Sequence, residues 1–179
     1  MKGLFFLVFL APLLWFLGCG YSADPGVNQI QLAIYPQVCI DVLDASTAEG
    51  AHLQIYPCGA GKRSQEWSVV PVNPQGDVVV VNLNSSMCMA VDPAFLIAPG
   101  EYVIQQTCTT DNSALNQLWK ITPQVADPGS RFVSVATGQC LDLPYGATAS
   151  IFLMQQYYCT DNDPAQGWVI NPVAPGNIP

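Results

Sequence analysis

Positive charge is scarce in this sequence. Five Lys and Arg stand against thirteen Asp and Glu, giving a formal net charge of −8. Nucleic acids and anionic membrane surfaces are recognised through Lys and Arg, so neither is an expected partner. Charged residues of both signs make up only 10% of the chain, well below the quarter or so of an ordinary soluble domain. Asn, Gln, Ser and Thr must therefore carry much of the surface. Histidine is scarcer still, because His52 stands alone. A single imidazole removes most acid–base and metal-ligand constellations; no catalytic set, metal site or cofactor is expected. Helical patterning is missing as well. Outside the N-terminal segment, no stretch holds an apolar period of 3.6 residues for about three turns, and fifteen prolines work against helices.

What is present begins with a leader. Lys2 gives a short positive start, Leu4 to Leu17 is almost wholly apolar, and small residues follow at Gly18, Gly20 and Ser22. This order reads as a secretory signal over residues 1–22, cut near Ser22 or Ala23. The competing readings are a buried helix or a membrane anchor, for which the apolar run is short. A lipoprotein-type cleavage before Cys19 is a third, although the first two positions of that motif fit poorly. No later segment has the length and apolarity of a membrane span.

Removing the leader leaves Cys39, Cys58, Cys88, Cys108, Cys140 and Cys159. An even count in an exported chain points to disulfides, but six cysteines permit 15 pairings. The spacing is more informative. The cysteines fall into pairs separated by 19, 20 and 19 positions, and the first members lie 49 and 52 residues apart. After each second cysteine comes Gln-x-Trp: Gln65-Glu66-Trp67, Gln117-Leu118-Trp119 and Gln166-Gly167-Trp168. Three copies of one unit thus fill residues 27–72, 73–124 and 125–173. The simplest pairing keeps each disulfide inside its unit, where a loop of about 20 residues is worth about 3 kcal/mol on the entropic account. Short β-branched runs such as Asp77 to Leu83 and Arg131 to Ala136, separated by Asn-Pro and Asp-Pro-Gly turns, make the units all-β.

The Cys-x-Asp start, the paired cysteines and the repeated Gln-x-Trp resemble the ricin B-type lectin family over nearly all of residues 23–179. The resemblance implies a β-trefoil, in which three four-stranded units close into a barrel with a hairpin cap. It gives Trp67, Trp119 and Trp168 to the shared core. It also implies a sugar site in each intact unit: an acid two residues after the first cysteine, a glutamine four before the second, an aromatic two before it, and an Asn-Gln pair opening Gln-x-Trp. The chemistry fits a neutral sugar. A carboxylate accepts from neighbouring hydroxyls, an amide donates and accepts, and a ring packs on the C–H face.

On that pattern the first unit supplies Asp41, Gln54, Tyr56, Ser64 and Gln65, with Ser64 where the family has Asn. The third supplies Asp142, Gln155, Tyr157 and Gln166; Ala165 replaces the Asn, and Asn162 or Asp163 is the candidate to compensate. The second unit has Ala90, Ile104 and Gln106 at the acid, amide and ring positions, and is expected to be structural and blind to sugar. Asp92 lies on the face Ala90 would use, about 7 Å farther along a strand. His52 is expected in a solvated loop. Lys62-Arg63 is too short for a nucleic-acid patch, and Asn84-Ser85-Ser86 matches an N-glycosylation acceptor.

The sequence therefore predicts a secreted, non-enzymatic lectin with glycans as partners. The resemblance makes galactose or N-acetylgalactosamine the expected class. A homo-oligomer is compatible with this reading. The alternative is a protein-binding trefoil, such as an inhibitor of secreted hydrolases, which needs no Asp-Gln-Tyr sets. A glycoside hydrolase would need two carboxylates flanking one bond, whereas Asp41 and Asp142 fall in different units.

Overall fold

The computed structural model describes residues 26–109, 111–124, 129–146 and 152–173. Residues 1–22, which read as a leader in the sequence, lie outside them. Among the described residues, no helix is long and apolar enough to cross a membrane.

The chain is all-β, as the repeats predict. The first unit holds β1 (Val27–Leu32), β2 (Tyr35–Val42), β3 (Leu53–Pro57) and β4 (Trp67–Pro71). The second holds β5 (Asp77–Asn82), β6 (Cys88–Val91), β7 (Val103–Gln106) and β8 (Trp119–Pro123). In the third, β9 (Ser130–Ser134), β10 (Cys140–Asp142) and β13 (Trp168–Pro172) repeat the order, with the third strand split into β11 (Phe152–Leu153) and β12 (Gln155–Tyr157).

The outer strands of each unit join into a closed ring. β1 pairs β4, β4 pairs β5, β5 pairs β8, β8 pairs β9, β9 pairs β13, and β13 returns to β1. Closure removes the exposed edges an open sheet would leave. The inner strands form three hairpins, β2–β3, β6–β7 and β10–β12, which cap the barrel. This is the β-trefoil.

Each tryptophan opens the last strand of its unit and is buried in the core with Ile30, Val80 and Phe132. An indole buries on the order of 200 Å², worth at most about 5 kcal/mol each. The polar edge is satisfied in the same way three times. The indole N–H of Trp67, Trp119 and Trp168 donates to the carbonyls of Ile40, Met89 and Leu141, at 3.1, 3.0 and 3.2 Å. Each acceptor follows the first cysteine of its unit, so the motif ties barrel to hairpin. The disulfides Cys39–Cys58, Cys88–Cys108 and Cys140–Cys159 all lie within units. Where the chain enters β9 it passes very close to β13. A Cβ on Gly129 would fall 2.8 Å from the Trp168 nitrogen and 2.9 Å from the Gly167 carbonyl carbon, so only glycine fits there.

Candidate functional site

Strand register places the candidate residues. In β2–β3, Cys39 faces Tyr56 and Asp41 faces Gln54; in β10–β12, Cys140 faces Tyr157 and Asp142 faces Gln155. The two-residue spacing sends acid, amide and ring to one side of each hairpin. Each set lines a concavity of about 390 Å³ in the first unit and about 400 Å³ in the third. Asp41 and Asp142 therefore sit in separate pockets and do not share one bond.

The Gln-x-Trp glutamines lie beneath these pockets rather than in their walls. Gln65 is fully buried. Its Nε2 donates to Asp41 Oδ2 at 2.6 Å and to the Pro57 carbonyl at 3.0 Å, and its Oε1 accepts from the Gly59 N–H at 2.9 Å. Gln166 repeats this with Asp142 Oδ2 at 2.9 Å, the Tyr158 carbonyl at 2.9 Å and the Thr160 N–H at 3.0 Å. Both amides are fully committed inside the protein. They fix the carboxylate and tie it to the end of its hairpin.

Burial shapes the carboxylates. Asp41 and Asp142 are each only 5% exposed. Loss of water raises the Asp41 carboxyl above its ordinary value, against the opposing pull of Gln65, Ser64 and the Lys62 cation. Burial also raises Asp142, opposed by Gln155 and Gln166 and reinforced by the negative Asp163. Gln155 Nε2 donates to Asp142 Oδ1 at 2.7 Å. Gln54 is 5% exposed, and its Oε1 has no protein partner although it lies in the first pocket.

The remaining candidates separate. Ser64 lies buried in the first pocket and hydrogen-bonds Asp41. Asn162 is exposed at a left-handed turn and does not line the third pocket; Asp163 does, where its side chain accepts from the Ala165 N–H at 2.9 Å. Asp92 likewise accepts from the Ala94 N–H at 2.9 Å, capping a turn rather than replacing an acid. His52 packs half-buried, edge-on to Tyr102, with ring centroids 4.8 Å apart, so it is not in a solvated loop.

The second unit shows why its acid is dispensable. The Gln106 Oε1 accepts from Gln117 Nε2 at 3.1 Å and from Asn116 Nδ2 at 3.0 Å. A neutral amide thus takes the bond that the carboxylate takes elsewhere, and the side chain that would be a free ring is consumed.

Several pocket residues escape the sequence pattern. Position five after the first cysteine adopts the left-handed region in both sites, as Asp44 at φ 56° and Tyr145 at φ 61°. Such backbone is uncommon for bulky side chains and clusters at functional sites. Tyr145 is 98% exposed and lines the third pocket as a second aromatic residue beside the set containing Tyr157. Lys62, Arg63 and Asn84 line the first pocket. Buried Gln105 also went unmarked. Its Nε2 donates to the Ser46 and Ala48 carbonyls at 3.0 and 2.8 Å, holding the first unit's pocket loop from the second unit.

By sequence, residues 28–168 match the ricin-type beta-trefoil lectin domain. No curated protein matches. Among solved structures, the designed threefold-symmetric protein ThreeFoil is similar at 24% identity and TM-score 0.74, over 83% of this chain and 99% of that one. An exo-beta-1,3-galactanase from Clostridium thermocellum is similar at 25% identity and TM-score 0.73, over 86% of this chain but 31% of that enzyme. The C-half of an earthworm R-type lectin, in complex with GalNAc, is similar at 13% identity and TM-score 0.61, over 83% of this chain and 100% of that one. The last two likenesses extend the fold across part of an enzyme and one half of a lectin. With the match covering all three Gln-x-Trp motifs, the chain belongs to the ricin-type β-trefoil lectin family.

Proposed function

We propose that this protein is a secreted lectin without chemistry of its own, binding sugar in the first and third units and not in the second. The observation that carries the reading is the pair of like pockets. Each has a buried carboxylate held by a buried glutamine, a facing amide, and an accessible tyrosine on the same side of one hairpin. A neutral hexose would donate hydroxyls to Asp41 or Asp142, bond the Gln54 or Gln155 amide, and lay its C–H face on Tyr56 or Tyr157. Gln65 and Gln166 act as positioning residues. Galactose or N-acetylgalactosamine is the proposed class, supported by the GalNAc complex of the earthworm lectin. Secretion is supported by three disulfides, which persist in oxidising compartments.

The test is a broad glycan array probed with the mature protein and with Asp41→Ala/Asp142→Ala. Binding by the first and loss in the second is expected. Equal binding by both, or binding by neither, overturns the reading; in the second case capture of a secreted hydrolase would mark a protein-binding trefoil instead.

A further inference from the structure

The two pockets share their acid, amide and ring but not their charge. Lys62 precedes Gln65 by three positions, and Asp163 precedes Gln166 by three. Both residues occupy the start of the short 3₁₀ turn that carries the glutamine, and both line their pockets. One repeat position therefore reverses its charge between the sites. The neighbouring residue is Arg63 in the first unit and Pro164 in the third. The first pocket balances Asp41 and Asp44 against Lys62 and Arg63, whereas the third holds Asp142 and Asp163 with no cation among the described residues of its lining.

The cations are also distributed unevenly over the molecule. Of the four in the described residues, Lys120 lies 4.0 Å from Asp77 and Arg131 lies 3.0 Å from Asp161. Lys62 and Arg63 have no carboxylate within ion-pair distance among the described residues. Acids outnumber cations thirteen to five, so a shortage of partners does not account for this.

Nor are the two side chains loose. The Lys62 stem runs across Gly59, where an added Cβ would fall 2.7 Å from Cδ and Cε. Its Nζ stands 4.7 Å from the centroid of the Tyr56 ring, a cation–π contact. Arg63 Nη2 donates to the Leu83 carbonyl at 2.8 Å, which fixes one end of the guanidinium fork. The Lys62 ammonium takes up part of the Tyr56 ring, so a saccharide bound on this wall lies against the cation, which is placed to meet a negative group on it.

We propose that the first pocket takes saccharides bearing an anionic substituent, a carboxylate or a sulfate ester, which Lys62 and Arg63 bind, while the third pocket takes neutral saccharides alone. This rests on the saccharide reading above. The sugar ring occupies the Asp41–Gln54–Tyr56 wall and the anionic group projects to the rim. Asp163 repels the same group at the third site.

The experiment uses Asp142→Ala, which leaves the first pocket alone, on an array carrying matched neutral, sulfated and sialylated forms of common hexose and N-acetylhexosamine cores. Two cations at a solvent-facing rim give about a tenfold preference for a charged form over its neutral parent. That ratio is expected to fall toward one in about 1 M salt and in Lys62→Gln/Arg63→Gln. It should persist in Lys120→Gln, which removes one positive charge elsewhere. Preference for only one of the two anionic classes identifies the substituent. Equal binding of charged and neutral forms, or a preference that survives Lys62→Gln/Arg63→Gln, overturns this inference and leaves the lectin reading intact. Binding of no glycan by either this variant or the unaltered protein overturns both.

Discussion

Replacing Gln65 by Met tests what the Gln-x-Trp glutamine does. Met matches the volume closely, so little cavity or overpacking penalty is expected. The change removes one charge-assisted bond to Asp41 and two neutral bonds to the Pro57 carbonyl and the Gly59 N–H, all in a buried place. At about 2 kcal/mol for the first and about 1 for each of the others, the loss is about 4 kcal/mol, or about 12 °C in a chain of this size. Gln166→Met should match it. Gln117→Met breaks three bonds to neutral partners only, so it should cost about 3 kcal/mol. The sign with pH also follows. Asp41 already titrates above its ordinary value, and losing a bond that stabilises its charged form raises it further. A raised carboxyl favours the fold below its unfolded pKa, and that favour is lost as pH rises through the folded value. The deficit of Gln65→Met is therefore largest at neutral pH and shrinks in acid. Urea denaturation with the disulfides intact, at pH 7 and pH 4, reads both effects. A cost below about 1 kcal/mol at pH 7, or a larger deficit in acid than at neutrality, would refute the reasoning.

Glycan binding should itself fail in acid. On the proposed reading Asp41 and Asp142 accept sugar hydroxyls when ionised, and burial raises both above 3.8, so the midpoint of loss should lie above that value; a titration midpoint at or below it contradicts the assignment. Gly129→Ala forces a Cβ to within 2.8 Å of the Trp168 nitrogen and 2.9 Å of the Gly167 carbonyl carbon. It should cost about 2 to 3 kcal/mol by strain, read by thermal melting, and a neutral effect would show that the β9–β13 approach is looser than described.

The sequence carried the fold because the repeat is covalent and periodic. Cysteine pairs and Gln-x-Trp recur in register, which made the threefold all-β repeat legible; the β-trefoil followed from the family those motifs resemble. The acid, amide and ring of the first and third hairpins were legible through the family resemblance, and period-two geometry gives them a common face. What spacing does not encode is depth. Gln65 and Gln166 read as sugar-site residues in one dimension, yet both are buried supports. Asn162 and Asp163 are adjacent, and only the turn geometry turns Asp163 toward the pocket. Lys62-Arg63 is a negligible basic run along the chain. It acquires meaning only when the 3₁₀ turn sets it on a pocket rim beside Tyr56. Gln105 was invisible because its partners, Ser46 and Ala48, lie in the preceding unit, beyond any local pattern.

The central claim is two independent carboxylate-based sugar sites on one threefold body. Calorimetric titration with the best neutral glycan ligand, giving stoichiometry for the unaltered protein, Asp41→Ala, Asp142→Ala and the double variant, tests it most directly. The account predicts two sites, one, one and none. Unchanged stoichiometry in either single variant, or a site that survives in the double variant, would contradict it.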